Sequence, residues 1–215
     1  MKRTTLIVLL WVAVTHLHAQ PFVFVFLNKK VSPVELPKDQ LDKLMDGHMA
    51  NIKRLASENK LVAAGPFEGG GGIFIFRSSS KKQVQEWLEA DPAVHAKRWD
   101  VEMFNYLPRI GSVCAVAEPI EMIQYHFMRY EVNITKYTIS RMSEGEKEHE
   151  QYIKQLALNG DVVTEGTFAP DEGSILVMKG DLKKELIELD PAVQKEFFFL
   201  SFKDLYIAKG AFCDR

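Results

Sequence analysis

The chain has 215 residues, 47% apolar, 26% charged and 11% aromatic, an ordinary globular composition that excludes wholesale disorder, collagen and coiled coil. A formal net charge of −2 supplies no overall basic field, so nucleic acid and anionic membrane are not expected partners. The length holds one large domain or two of about 100 residues, and either buries a workable core.

Lys2 and Arg3 precede an unbroken apolar run from Leu6 to Val14. A membrane-spanning helix needs about 20 apolar residues, so the run reads as a secretory signal over residues 1–19, cleaved after Ala19. The expected location is the periplasm or the secreted space, with no stable membrane insertion after cleavage. No cysteine lies near the cut, so a lipid anchor is not expected.

Phe22 to Leu27 is an aromatic and β-branched run with the character of a buried strand. Leu41, Leu44, Met45, Ile52 and Leu55 then form one stripe at helical period. A strand follows at 61–67, a glycine turn at 69–72, and a partner strand at 73–76. Ser78 to Ser80 cap a second helix carrying Val84, Trp87 and Leu88. Asp91-Pro92 ends that helix, and 99–107 is the last strand. The order strand, helix, strand, strand, helix, strand then recurs at 122–130, 141–159, 162–168, 174–179, 181–189 and 198–208.

Landmarks recur with it. His48 lies 17 positions before Gly65, as His149 does before Gly166, and Asp91-Pro92-Ala93-Val94 returns as Asp190-Pro191-Ala192-Val193. Cys114 and Cys213 each lie 23 positions after the repeated Asp, and Phe26 and Phe127 each lie 22 before the repeated His. The expected organisation is a first unit at 20–110, a connector at 111–120 and a second unit at 121–215. The fold class is α+β: two tandem ferredoxin-like (βαββαβ) units. Their strands are apolar on both sides, so the units should pack sheet to sheet, each covering the other's bare face.

His48 and His149 both fall on the apolar stripe of their helices, so both rings should face the sheet. A buried imidazole needs a partner, and Asp91 and Asp190 are the repeated candidates. A carboxylate on one ring nitrogen fixes the tautomer and raises the basicity of the other, as a general base requires. The plainer alternative is that each His is a satisfied core residue and each Asp only closes a helix turn. The four-glycine run leads into a strand, and no Lys-Ser/Thr follows, so it is a hairpin turn and not a phosphate loop. No spacing points to a zinc or iron set, and neither metal nor cofactor is expected. His95 and His126 lack a repeated partner, and Asn133-Ile134-Thr135 is a glycosylation sequon. Cys114 and Cys213 occupy equivalent places, so one disulfide tying the halves and two separate thiols both remain open.

The helix His48, the turn Gly65-Pro66-Phe67 and Asp91-Pro92 resemble the YCII-related (YciI-like) family, over essentially the whole mature chain as two tandem copies. The resemblance implies a dimeric α+β barrel in which two halves of one chain replace two subunits. The expected species is then a monomer with an internal pseudo-dimer. It implies His48, Asp91, His149 and Asp190 as active-site residues. Gly65, Pro66, Phe67, Gly166 and Phe168 would shape a pocket between helix and sheet in each half. The family often carries Arg three positions before the His, where this chain has Met45 and Glu146, and the second turn, Gly166-Thr167-Phe168, lacks the proline. These departures weigh most against the second copy. Two functions follow: an enzyme using His/Asp acid–base chemistry on a small molecule (elimination, isomerisation or hydrolysis), or a non-catalytic module holding a small apolar ligand.

Overall fold

A computed structural model describes residues 21–213, apart from 33, 137, 138 and 170. The expected signal over 1–19 lies outside the described residues. In the first unit, β1 (Phe22–Lys29), α1 (Lys38–Ser57), β2 (Leu61–Pro66), β3 (Gly72–Arg77), α2 (Lys81–Glu89), α3 (Pro92–His95) and β4 (Trp99–Ile110) follow in order. A short β5 (Ser112–Val113) leads to the second unit. That unit holds β6 (Met122–Val132), α4 (Ile139–Ala157), β7 (Val162–Ala169), β8 (Ser174–Met178), α5 (Lys184–Glu188), α6 (Pro191–Gln194), β9 (Phe198–Ala208) and β10 (Phe212–Cys213).

β1 explains the layering. Its side chains alternate, so Phe22, Phe24 and Phe26 face one core while Val23, Val25 and Leu27 face another. The aliphatic face packs under α1 and α2 with Leu55, Val84 and Leu88. The aromatic face meets Tyr125, Phe127 and Phe168 of the second unit. A third core, with Met128, Tyr130, Ile153 and Ile187, lies under the helices of the second unit.

The strands run β2-β3-β1-β4-β7-β8-β6-β9 in a single antiparallel sheet. The units are therefore joined edge to edge through β4 and β7, and the eight-stranded sheet curls until its ends meet. Phe67 bridges Leu205, and the Glu68 N–H donates to the Asp204 carbonyl at 2.8 Å. This α+β barrel gives both inner faces a common aromatic core and leaves the helices outside.

Gly65 and Gly166 belong to these seams, which corrects their expected place in a pocket. A Cβ on Gly65 would stand 2.3 Å from the Tyr206 carbonyl oxygen, and one on Gly166 would stand 2.6 Å from that of Leu107. Each glycine lets one unit's edge strand approach the other's.

The register also corrects one landmark. Phe26 and Arg129 pair with Ile73 and Ile175, and these pair in turn with Gly65 and Gly166. Phe26 thus corresponds to Arg129, and Phe127 to Phe24. The β1–α1 connection is two residues longer than its counterpart, which a constant sequence offset conceals.

Asp91-Pro92 and Asp190-Pro191 do not only stop a helix. Each starts a one-turn helix, with the Asp as N-cap and Pro at its first position. α5 is shorter than the span expected from sequence. Asn133 is buried, its amide donating to the Glu196 carbonyl at 3.0 Å and accepting from Thr135, so this sequon is not presented for modification.

β5 and β10 pair, and Cys213 of β10 forms a disulfide with Cys114, the residue after β5, across 99 positions of chain. Such a closure limits the unfolded ensemble. Replacing both cysteines with serine should lower unfolding free energy by about 2–4 kcal/mol, read as a lower urea midpoint with a steeper slope, because the unbridged unfolded chain exposes more surface.

Candidate functional site

Both His–Asp pairs form. His48 Nδ1 lies 2.8 Å from Asp91 Oδ2, and His149 Nδ1 lies 2.5 Å from Asp190 Oδ2. All four residues are buried. The capping role orients each carboxylate. Asp91 Oδ1 accepts from the N–H groups of Ala93 and Val94 at 3.0 and 3.1 Å, and Asp190 Oδ1 accepts from Ala192 at 2.9 Å. The other oxygen of each Asp is left to accept from Nδ1–H, so Nε2 carries the lone pair. The helix turn and the dyad are thus one device and not rival readings.

Burial pushes the Asp91 carboxyl up, but the His48 hydrogen bond and charge, the Val94 N–H and the Asn51 amide outweigh it. The group is held below the ordinary 3.8. Above that value Asp91 is ionised in both folded and unfolded chains, and its stabilisation is fully present. It is lost as pH falls through the lower folded value. Stability should therefore decline below 3.8, and Asp91→Asn should flatten this part of the curve, measured by urea denaturation across acid pH.

Beyond the dyads the two units differ. In the second unit His149 borders a cavity of about 190 Å³ that is also lined by Arg109, Glu146, Thr167, Phe168, Asp171 and Ser174. Ser174 Oγ lies 3.0 Å from His149 Nε2, the nitrogen turned away from Asp190. The sheet registers place Leu27, Ala64 and Gly72 of the first unit where the second has Tyr130, Glu165 and Ser174. At the helix position three before the His, the first unit has Met45 where the second has Glu146. His48 instead stacks on Phe74, with Trp99 at 4.9 Å between ring centroids. The polar site is therefore the second copy, against the expectation from its missing proline.

Arg109 arrives across the seam from β4. Its Nε donates to Glu165 Oε2 at 3.0 Å, Nη2 donates to Oε1, and Nη1 lies 3.9 Å from Glu150. Burial alone would lower its affinity for a proton, but Glu165, Glu150 and Glu146 reverse this and keep it charged. Burial and the adjacent Asp171 carboxylate, including a hydrogen bond to it, raise Glu146 above its usual range. Glu146 therefore holds a proton at a higher pH than an ordinary glutamate. The wall of this cavity thus combines an imidazole, a carboxyl group with raised proton affinity, a hydroxyl and a fixed cation.

Of the remaining expected pocket residues, Phe168 lines this cavity. Phe67 lines a separate one of about 190 Å³ at the barrel mouth, with Arg129 and Lys203. Pro66 is exposed at the end of β2. His126, unpartnered in the repeat, binds Asp204 at 2.8 Å and the Gly180 carbonyl at 3.0 Å. Among the described residues, no group of three or more His, Cys, Asp or Glu is placed to hold a metal ion. Sequence reasoning missed Arg109, Glu165 and Ser174. The one available signal was that serine and glutamate replace glycine and alanine at repeated strand positions.

Comparison with known proteins bears on the fold. A candidate monooxygenase from Fusobacterium nucleatum subsp. nucleatum is 8% identical over 93% of this chain and 96% of its own, with a TM-score of 0.50. An anthrone oxidase-like protein is 8% identical over 88% and 91%, also at 0.50. A candidate chlorite dismutase is 10% identical over 90% and 96%, at 0.51. At such identity these likenesses speak for the fold alone. No protein of curated function matches the chain. The family model of the YCII-related domain matches residues 23–103. Residues 23–103 are thus similar to the YCII-related domain, and with the second unit that repeats their order of elements they build an α+β barrel from one polypeptide.

Proposed function

We propose that this chain is an exported enzyme acting on a small molecule by acid–base chemistry at one centre, the His149–Asp190 dyad of the second unit. The observation that carries the reading is a buried dyad whose Nε2 side opens on a small cavity containing Glu146, Asp171 and Arg109. Asp190 holds the tautomer, His149 Nε2 takes a proton, and Glu146 returns one to a developing charge. The cavity lies below the usual size of drug-binding pockets. Its two carboxyl groups disfavour anionic substrates and favour neutral or amino-bearing ones. His48–Asp91, set among aromatic rings, keeps the structural half of the inherited arrangement. Export rests on the Lys2-Arg3 start and the following apolar run, and the Cys114–Cys213 bond suits an oxidising compartment.

The test is a panel of small neutral carbonyl compounds followed by NMR in deuterated water, which reports proton exchange, elimination and hydrolysis together. At least one compound should be turned over by the wild type and by His48→Ala, and not by His149→Ala. A panel untouched by the wild type, or turned over equally by His149→Ala, would sink the reading.

A further inference from the structure

We infer that Ser174 is a nucleophile, and that Ser174, His149 and Asp190 form an acyl-transfer triad acting on small neutral or amino-bearing esters. The inference rests on the His149 base proposed above and adds covalent chemistry to it. The geometry is sequential: Asp190 Oδ2 to His149 Nδ1 at 2.5 Å, then His149 Nε2 to Ser174 Oγ at 3.0 Å. This is the order of contacts by which a weak hydroxyl is activated, and such constellations arise on unrelated folds.

Local structure holds the serine in place. Gly173 has a φ of +98°, and a Cβ there would meet the Tyr130 carbonyl oxygen at 2.1 Å. The chain therefore turns tightly just before Ser174, which opens β8 at the cavity wall. Ser174 stands opposite Tyr130 on β6, so the sheet fixes its backbone, while the His149 ring packs against Tyr130 with 4.6 Å between centroids. The first unit has Gly72 at this position and so has no hydroxyl to offer its dyad.

In the first step Ser174 Oγ bonds to the ester carbonyl carbon and its proton passes to His149 Nε2. The carbon–oxygen bond to the leaving group breaks, and the departing alkoxide takes that proton, leaving acyl-Ser174 and an alcohol. Water then attacks the acyl carbon, giving its proton to His149 Nε2. Ser174 departs and recovers the proton, and a carboxylic acid is released. The net change is ester plus water to acid plus alcohol, with no redox step. Arg109, which lines the same cavity and whose Nη1 lies outside the two-point contact with Glu165, is the guanidinium assigned to the charge developing on the carbonyl oxygen.

The experiment uses the full oxidised chain with p-nitrophenyl acetate and a small fluorophosphonate, followed by peptide mapping. The wild type and His48→Ala should show a nitrophenolate burst and a phosphonyl adduct on Ser174. Ser174→Ala and Ser174→Gly should lose both while keeping the wild-type melting temperature. His149→Ala should label roughly 100-fold more slowly or worse. An adduct on another residue, or ester hydrolysis at the wild-type rate in both Ser174 variants, would overturn the nucleophile. If His149→Ala then still abolishes turnover of the carbonyl panel, the base stands and Ser174 does not. If it abolishes neither reaction, both readings fall.

Discussion

His149→Ala should reduce turnover by about 10²–10⁴-fold, whereas His48→Ala should leave it within a few-fold of wild type. The pair is informative because the structural damage is similar. Each variant strips a buried carboxylate of its imidazole, which costs stability through an unmet acceptor, about 1–3 kcal/mol. Asp91 keeps the Asn51 amide at 3.1 Å, so His48→Ala should fall at the lower end of that range. Rate loss in both variants would point to a folding effect. Rate loss in His149→Ala alone isolates the chemistry, and His149→Gln, which preserves a donor to Asp190, should restore stability without restoring turnover. Urea denaturation beside the NMR panel separates the two.

The second large effect concerns the seam. Glu165 is 2% exposed and its fork partner Arg109 comes from the other unit. Arg109→Ala leaves that carboxylate buried and uncompensated, and unfolding free energy should drop by about 3–5 kcal/mol. Arg109→Ala with Glu165→Gln should recover much of the loss, because the stranded charge is removed along with its partner. Arg109→Lys should recover less, since a single ammonium cannot reproduce the two-point contact. Chemical denaturation of the four proteins forms the test. Equal losses in the single and double variants would show that the contact matters by shape and not by charge.

The seam also explains how far the sequence reached. The alternation of Phe and Val in β1 announces a strand buried on both faces, because side chains of a strand point alternately to opposite sides. The repeated His, Asp-Pro and Cys announce the duplication, and a buried imidazole's need for an acceptor joins His48 to Asp91 and His149 to Asp190. Those are local or covalently ordered requirements, legible in one dimension. The proposed centre is not of that kind. Arg109 and Glu165 stand 56 positions apart and meet only because β4 pairs with β7. His149 and Ser174 stand 25 positions apart and meet through a hydrogen bond between a side chain of α4 and the first residue of β8. The glycines that read as pocket formers proved to be points where edge strands approach, and Phe26 proved to be aligned with Arg129 once the register was known.

Composition and periodicity thus determined the elements, their repetition, and which polar groups had to find partners inside, since burying an unpaired polar group is costly whatever the topology. Which copy of the site carries a hydroxyl, a carboxyl with raised proton affinity and a cation was decided by the closure of the sheet. Strand register and the order of edges bring side chains from different units onto one wall, and no spacing along the chain encodes that distance.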